Sequence, residues 1–251
     1  MKVQFASDLH LEFPANKRYL KNNPIIPNGE ILILAGDIIL FSQLDKVNDF
    51  FEFIADNFEA TYWIPGNHEY YYYDISAKPV ALNEKIKNNI FLVNDISIIH
   101  KDVKFIFSTL WSNISNANRY DIANSLNDFR IIKNGKRQLS PEYYNSLNKK
   151  SVAFLEKELS GNDSKKTIVA THHVPTFLNY PEQYRNSPIN EAFAIELFDL
   201  IENHGPDYWI YGHHHVNVAP FKIGRTTLLT NQYCLYNRYY FNLSSCSLLT
   251  N

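Results

Sequence analysis

Seven of the nine histidines fall in short polar clusters, and each cluster follows an apolar run. Asp8 and His10 follow residues 2–7. Asp37 follows the run Ile31, Leu32, Ile33, Leu34 and then Gly36. Asn67 and His68 follow residues 62–64 and a Pro65-Gly66 turn. His172 and His173 follow residues 167–170, and His213 and His215 follow residues 208–211 and Gly212. Taken singly, each cluster has a plain explanation as a turn or a helix cap. Together they assemble imidazoles and carboxylates, the ligands of borderline divalent metals such as zinc, iron and manganese. The donors outnumber the four that a tetrahedral ion takes. Two cations about 3.5–4 Å apart with a shared carboxylate would use them all. A water between such cations ionises near neutral pH and becomes a nucleophile for a phosphorus centre.

Strands that stop abruptly and present polar side chains at their carboxyl ends are how open α/β sheets build sites. Strand, helix, strand over residues 30–64 is an α/β signature, with Leu44, Val47, Phe51, Ile54 and Phe58 at helical spacing and Ser42 as the cap. Residues 13–29 read as loop, because Pro14, Pro24, Pro27 and Asn28-Gly29 punctuate them. A helix is expected at about 79–87, and an antiparallel meander of strands at 91–93, 96–100 and 103–108. Residues 111–140 are polar but carry Trp111, Tyr120, Phe129, Ile131 and Ile132, so they are expected to pack as a cap-like excursion over the site. Ser140-Pro141-Glu142 starts a helix that runs to about Leu159 and stops at Gly161. A loop at 176–188, a helix at 191–203 ended by Gly205-Pro206, and strands at 218–223 and 225–233 complete the reading. With no repeat and no linker, residues 1–251 are expected to form one domain.

A chain of 251 residues can bury a sizeable core. A net charge of −2, without any basic block, argues against long nucleic acids and anionic membranes as partners. No apolar run approaches the roughly 20 residues of a membrane span. Cys234 and Cys246 are too few for a disulfide framework and read as small buried or semi-buried residues. Residues 1–6 enter a strand pattern at once, and Asp8 comes too early for a signal-peptide core, so a cytoplasmic protein is expected.

Asp8-x-His10, Gly36-Asp37, Gly66-Asn67-His68-Glu69, Thr171-His172 and Gly212-His213-x-His215 resemble, in order and in placement, the five motifs of the calcineurin-like metallophosphoesterases. The resemblance spans residues 8–215. It implies a four-layer sandwich: two mixed β-sheets packed face to face with helices on the outside. It also implies two divalent metal ions (Mn, Fe or Zn), one on Asp8, His10 and His215 and the other on Asn67, His172 and His213, with Asp37 bridging. His68 would stand just off the metals, facing the phosphate and the leaving group, with Asn67 also touching substrate. Thr109-Leu110-Trp111, Asp128-Phe129-Arg130 and Thr171-His172-His173-x-Pro175 resemble one bacterial branch, which carries a Pro and a Gly near Thr230–Tyr233 where this chain has neither.

Adjacent strand residues face opposite ways, so only one of His172 and His173 should ligate. The Thr-His step selects His172, and the same alternation turns His214 away from His213 and His215. Arg130 is a candidate phosphate clamp, since a guanidinium forks onto phosphate oxygens; a solvated arginine is the rival reading. Glu69 is expected to orient a neighbour, and Tyr70–Tyr73 to pack. The implied activity is hydrolysis of a small phosphodiester or phosphomonoester by in-line attack of metal-bound hydroxide. The rival is a non-catalytic binding module on the same fold, which would have no reason to keep every ligand position.

Overall fold

Two parallel strand sets, one per sheet, bring their carboxyl ends to the same edge of the molecule. The computed structural model describes residues 1–161, 166–233 and 247–249. In the first sheet Lys2–Ala6 (β1), Ile31–Ala35 (β2) and Ala60–Ile64 (β3) run parallel; Leu82–Lys87 (β4) closes one edge antiparallel to Ile90–Asn94 (β5), which lies parallel to β3. The second sheet pairs Ile96–His100 (β6) antiparallel with Val103–Ser108 (β7). A short hairpin of Lys133–Asn134 (β8) and Arg137–Gln138 (β9) stands apart. Lys166–Thr171 (β10) is parallel to β7, Tyr208–Tyr211 (β11) to β10, and Phe221–Ile223 (β12) folds antiparallel onto Thr226–Thr230 (β13). Ser247–Leu249 (β14) adds antiparallel to the outer edge of β1.

Strand alternation sorts the side chains into layers. Val3, Phe5, Ile31, Ile33, Tyr62, Phe105, Phe107, Ile168 and Ile210 form the dry interface between the sheets. Leu32, Leu34 and Trp63 point the other way, onto Phe51 and Ile54 of Asn48–Asn57, the helix after β2. Val169 and Trp209 face outward from the second sheet and pack with Leu155 and Ile201 of two later helices. The Ile-Leu-Ile-Leu run of β2 is fully buried because both of its faces are covered. The four-layer arrangement of mixed sheets is thus the observed one.

The helices are Pro14–Asn22 (α1), Asn48–Asn57 (α2), Arg119–Ser125 (α3), Asp128–Ile131 (α4), Pro141–Leu159 (α5) and Phe198–His204 (α6). Helix α5 matches its expected bounds, and Ser140 caps it by accepting from the Tyr143 N–H. Several expectations are overturned. Residues 14–22 are helical where a loop was expected, because Pro14 sits in the first turn, where the missing N–H costs nothing. Ser42 does not cap α2; it lies in a 3-10 segment, Phe41–Val47, kinked at Gln43. The helix expected at 79–87 is instead the edge strand β4, held by pairing to β5, which outweighs local preference. The meander is split between the sheets: β5 joins the first, and the chain crosses to the second through Asp95, whose φ of 46° redirects it. Only Phe198–His204 of the helix expected at 191–203 forms, because residues 193–195 bond to Val174. Strand β13 ends at Thr230, and Gln232 instead bridges Ser7. Cys234 and Cys246 lie outside the described residues. No described helix is long and apolar enough to cross a membrane.

Candidate metal centre

Strands β1, β2 and β3 of one sheet and β10 and β11 of the other end at a single edge, and the five clusters meet there. Asp8, His10, Asp37, His213 and His215 follow their strands with φ of 57°, 46°, 56°, 77° and 55°. Left-handed backbone at non-glycine residues is costly, and its concentration at one spot marks a functional constraint. The same conformations explain how His213 and His215 enter the cluster two residues apart: β11 has ended, so strand alternation no longer governs them.

The expected ligands form two groups, and a third set of donors, His10, Glu12 and His68, stands beside them. Asp8, His10, Asp37 and His215 offer atoms within 4.8 Å of one another, and so do Asp37, His172 and His213. Asp37 is common to both. Its Oδ1 lies 3.4 Å from His172 Nε2 and its Oδ2 3.6 Å from His10 Nε2. Asn67 Oδ1 joins the second group, 3.3 Å from His172 Nε2. Every residue assigned to the two metals by resemblance is therefore brought to one place.

Hydrogen bonds on the far sides of these groups settle which atoms face inward. His172 Nδ1 donates to the Ala35 carbonyl at 2.9 Å, and His213 Nε2 to the Ala192 carbonyl at 3.4 Å. The inward nitrogens, His172 Nε2 and His213 Nδ1, then both carry lone pairs, yet they stand 3.1 Å apart. Asn67 Nδ2 donates to Asp128 Oδ1 at 2.9 Å, which turns its acceptor oxygen inward as well. Asp37 Oδ2 is buried with no hydrogen-bond partner. Acceptors that converge without a proton between them need a cation. Among the described residues the donor set is all nitrogen and oxygen, which fits zinc, manganese or iron.

The electrostatics agree. Burial and the neighbouring His68 lower the pKa of His10 to about 4. Burial likewise lowers His172 to about 4 and holds His213 well below the usual histidine range. His10, His172 and His213 are therefore neutral, the form that ligates metals. Burial, Glu69 and Asp8 push Asp37 well above the usual carboxylate range, a penalty that a cation between the groups removes. Burial would raise Asp8 too, but the hydrogen bond and charge of His215 prevail and hold it low.

A surrounding layer holds these ligands. Glu69 is fully buried and accepts from the N–H groups of Asp37 (3.0 Å), Ile38 (2.7 Å) and Gly66 (2.7 Å) and from Trp63 Nε1 (3.0 Å). It clamps the Asp37 loop to the Asn67 turn, so its orienting role is visible. Gly66 is required by close approach: a Cβ there would lie 2.2 Å from Asp37 Oδ1 and 2.7 Å from His172 Nε2. Three supporting residues were missed in the sequence. Glu12 Oε1 accepts from both His10 Nδ1 (3.0 Å) and His68 Nδ1 (2.9 Å). Asp128, set in the excursion, is buried behind Asn67 and also accepts from Tyr71. Gln232 accepts from the His215 N–H at 2.7 Å. Glu12 had a signal in its place two residues after His10, and Asp128 in the Asp128-Phe129-Arg130 segment.

The remaining candidates are distributed as follows. His173 points away from the cluster, donating to the Thr109 carbonyl at 3.1 Å and meeting the Tyr144 hydroxyl at 3.0 Å. His214 accepts at Nδ1 from the Val216 N–H. His68 lies beside the cluster, its side chain one-fifth exposed (20%) and stacked on Tyr71 at 4.0 Å. It lines a cleft of about 120 Å³ with Asp37, Asn67 and Asp128. Arg130 is not brought to the site: it is exposed, lines no part of the cleft, and its guanidinium donates to the Asn124 carbonyl. The local chain direction of α4 buries Asp128 and Phe129 and leaves Arg130 outside.

An α/β/β/α sandwich with two carboxylate–imidazole donor groups sharing one aspartate defines the metallophosphoesterase class. The sequence pattern of the calcineurin-like phosphoesterases matches residues 1–217, and the chain belongs to that family. An uncharacterised protein of Acanthamoeba polyphaga mimivirus is 32% identical over 256 residues, covering 92% of this chain and 90% of its own. Among solved structures, the phosphopantetheinyl hydrolase of Mycobacterium tuberculosis superposes with a TM-score of 0.65 at 15% identity. That alignment covers 92% of this chain and 89% of the other, and it shows the fold alone.

Proposed function

We propose that the protein is a phosphoesterase that works with two divalent cations and hydrolyses a small phosphomonoester or phosphodiester. One observation carries this reading: three inward acceptors, His172 Nε2, His213 Nδ1 and Asn67 Oδ1, converge with no hydrogen among them to share. Asp8, His10 and His215 would hold one cation, Asn67, His172 and His213 the other, and Asp37 both. When bound, such cations supply Lewis acidity toward phosphoryl oxygens and a nucleophile at neutral pH.

The chain's own residues supply the rest. Glu69, bonded to the N–H groups of Asp37 and Gly66, and the close approach at Gly66 hold the Asp37 and Asn67 turns together. Glu12 accepts a hydrogen bond from His68 Nδ1–H, and Nε2 would be the atom that addresses the substrate. Burial holds the pKa of His68 below its usual value although Glu12 opposes it; two cations nearby would lower it more, and a phosphate dianion in the cleft would raise it. As an imidazolium, His68 would donate its Nε2 proton to the departing oxygen. The 111–140 excursion borders the cleft through Leu126 and Asp128 and would act as its cap. The assignment is tested by metal analysis of protein purified without chelator, together with hydrolysis of nitrophenyl esters. Wild type should approach two metals per chain, and Asp37→Ala should lose at least one metal and nearly all turnover. One metal at saturation with full activity would refute the dinuclear reading.

A further inference from the structure

A second cavity adjoins the cleft. It measures about 260 Å³ and shares Phe193, His213 and His215 with the smaller one. Its other walls are Tyr180, Tyr184, Ser187, Ile189, Asn190 and His214. Phe193 lies nearly parallel to His213, with ring centroids 4.6 Å apart and planes at 22°. A group bound here is thus in contact with a ring that itself rests on a proposed metal ligand. The volume is at the small end for organic ligand pockets, enough for one ring system beside the phosphoryl group.

The walls are held in place before any ligand arrives. The Val174 N–H donates to the Phe193 carbonyl at 3.1 Å. Glu191 accepts from the Ser115 N–H at 2.7 Å and from Asn118 Nδ2 at 2.9 Å, which fastens the turn carrying Asn190 and Phe193 to the excursion. Asn190 Nδ2 in turn donates to the Tyr184 and Arg185 carbonyls.

The lining also selects. Among the described residues, no lysine, arginine, aspartate or glutamate lines this cavity. A second phosphate or a carboxylate set against Tyr180, Tyr184 and Ile189 would lose water and meet no charged side chain of the described lining. Three aromatic rings offer faces and edges for a flat group, while Ser187, Asn190, the tyrosine hydroxyls and His214 offer polar contacts. Backbone donation into His214 Nδ1 leaves its proton on Nε2, so this residue is a hydrogen-bond donor. A purely aliphatic group would leave those polar groups unmet, and a charged one would be unpaired. An uncharged heteroaromatic ring satisfies both halves of the lining.

We propose that this cavity binds the base of a nucleoside phosphate ester whose phosphoryl group lies in the adjoining cleft. The proposal rests on the phosphoesterase reading and names its substrate class. Two ester pairs test it with metal-loaded protein. They are adenosine 5′-phosphate against ribose 5-phosphate, and p-nitrophenyl thymidine 5′-phosphate against p-nitrophenyl methyl phosphate. Within each pair the bond to be cleaved is alike and only the nucleoside part differs. In whichever pair is hydrolysed, kcat/KM should favour the nucleoside member by about tenfold, as expected for one base on aromatic rings. Tyr184→Ala should bring that ratio close to one. Binding of adenosine alone, followed by calorimetry on metal-loaded protein, gives a readout that needs no turnover. Both members of a pair cleaved equally by wild type would overturn the base site and leave the phosphoesterase reading standing. If no ester is cleaved, that reading fails, and adenosine decides the cavity: saturable binding lost in Tyr184→Ala supports it, and no binding overturns it.

Discussion

Asp95 offers a test of the electrostatics that is independent of the metals. It stands at the crossover between the sheets, 8% exposed, with φ of 46°. Ser108 Oγ donates to its Oδ1 at 2.6 Å and Ser151 Oγ to its Oδ2 at 3.1 Å. Burial outweighs these two bonds and raises its pKa from 3.8 to about 6. A carboxyl whose pKa is raised by folding binds its proton more tightly in the native state. Its contribution is therefore most favourable below the unfolded pKa and is lost as pH rises through the folded one. A shift of roughly two units corresponds to about 3 kcal/mol at pH 7.

Asp95→Asn removes the charge and keeps the shape. Asparagine tolerates the left-handed backbone. Its Oδ1 still accepts from Ser108, and its Nδ2 faces Ser151, whose hydroxyl can turn to accept. The variant should match wild type near pH 4 and gain on it progressively toward pH 7, reaching about 1–3 kcal/mol. For a chain of this size that is a rise in Tm of about 2–12 °C. The assay is denaturant unfolding of the metal-free protein at half-unit steps of pH, comparing the two chains at each step. A difference that does not change with pH would refute the reasoning, and so would a variant less stable than wild type at pH 7.

Gly66→Ala should fold, as followed by circular dichroism, but retain less than one metal per chain by elemental analysis. Its Cβ would occupy space 2.2 Å from Asp37 Oδ1, and full metal content would refute the close-approach argument. His68→Ala should keep both metals and still cleave nitrophenyl esters while losing about 10²–10⁴-fold on alkyl esters, the usual range for a lost general acid. Parallel dependence on leaving-group pKa in wild type and variant would make His68 a phosphate-binding group only. Glu12→Ala should weaken metal binding about 10–100-fold through His10 and share the leaving-group signature of His68→Ala; unchanged affinity in a metal-competition titration would remove it from that role.

How much of this was legible in the sequence depends on whether a residue's role leaves a periodic or positional trace. The strand ends were legible because an apolar run followed by Gly-Asp, Gly-Asn-His or Gly-His-x-His announces both the strand and its abrupt stop. β4 was misread because charged residues at 83–87 suit an exposed helix or an edge strand equally well, and only pairing to β5 decides between them. Pro14 marked a helix start as well as it marked a loop, and the pattern alone gave no choice. The longer helix expected at 191–203 failed at a tertiary contact, the pairing of Val174 with Ala194.

The supporting residues were hidden for a deeper reason. Asp128 belongs to the excursion by sequence, 61 residues from Asn67, yet its carboxylate sets which atom of that amide faces the site. Gln232 lies 17 residues after His215 and holds its main chain. A ligand's type can be read from one position, but its tautomer or amide orientation depends on what the far side touches. His172 shows the difference: the Thr-His step names the residue, while the Ala35 carbonyl, 137 positions away, decides that Nε2 is the lone-pair nitrogen. The five motifs therefore say which side chains gather. The bonds behind His172, His213 and Asn67 say that their acceptor atoms face inward, and this turns a cluster of polar residues into a site shaped for cations.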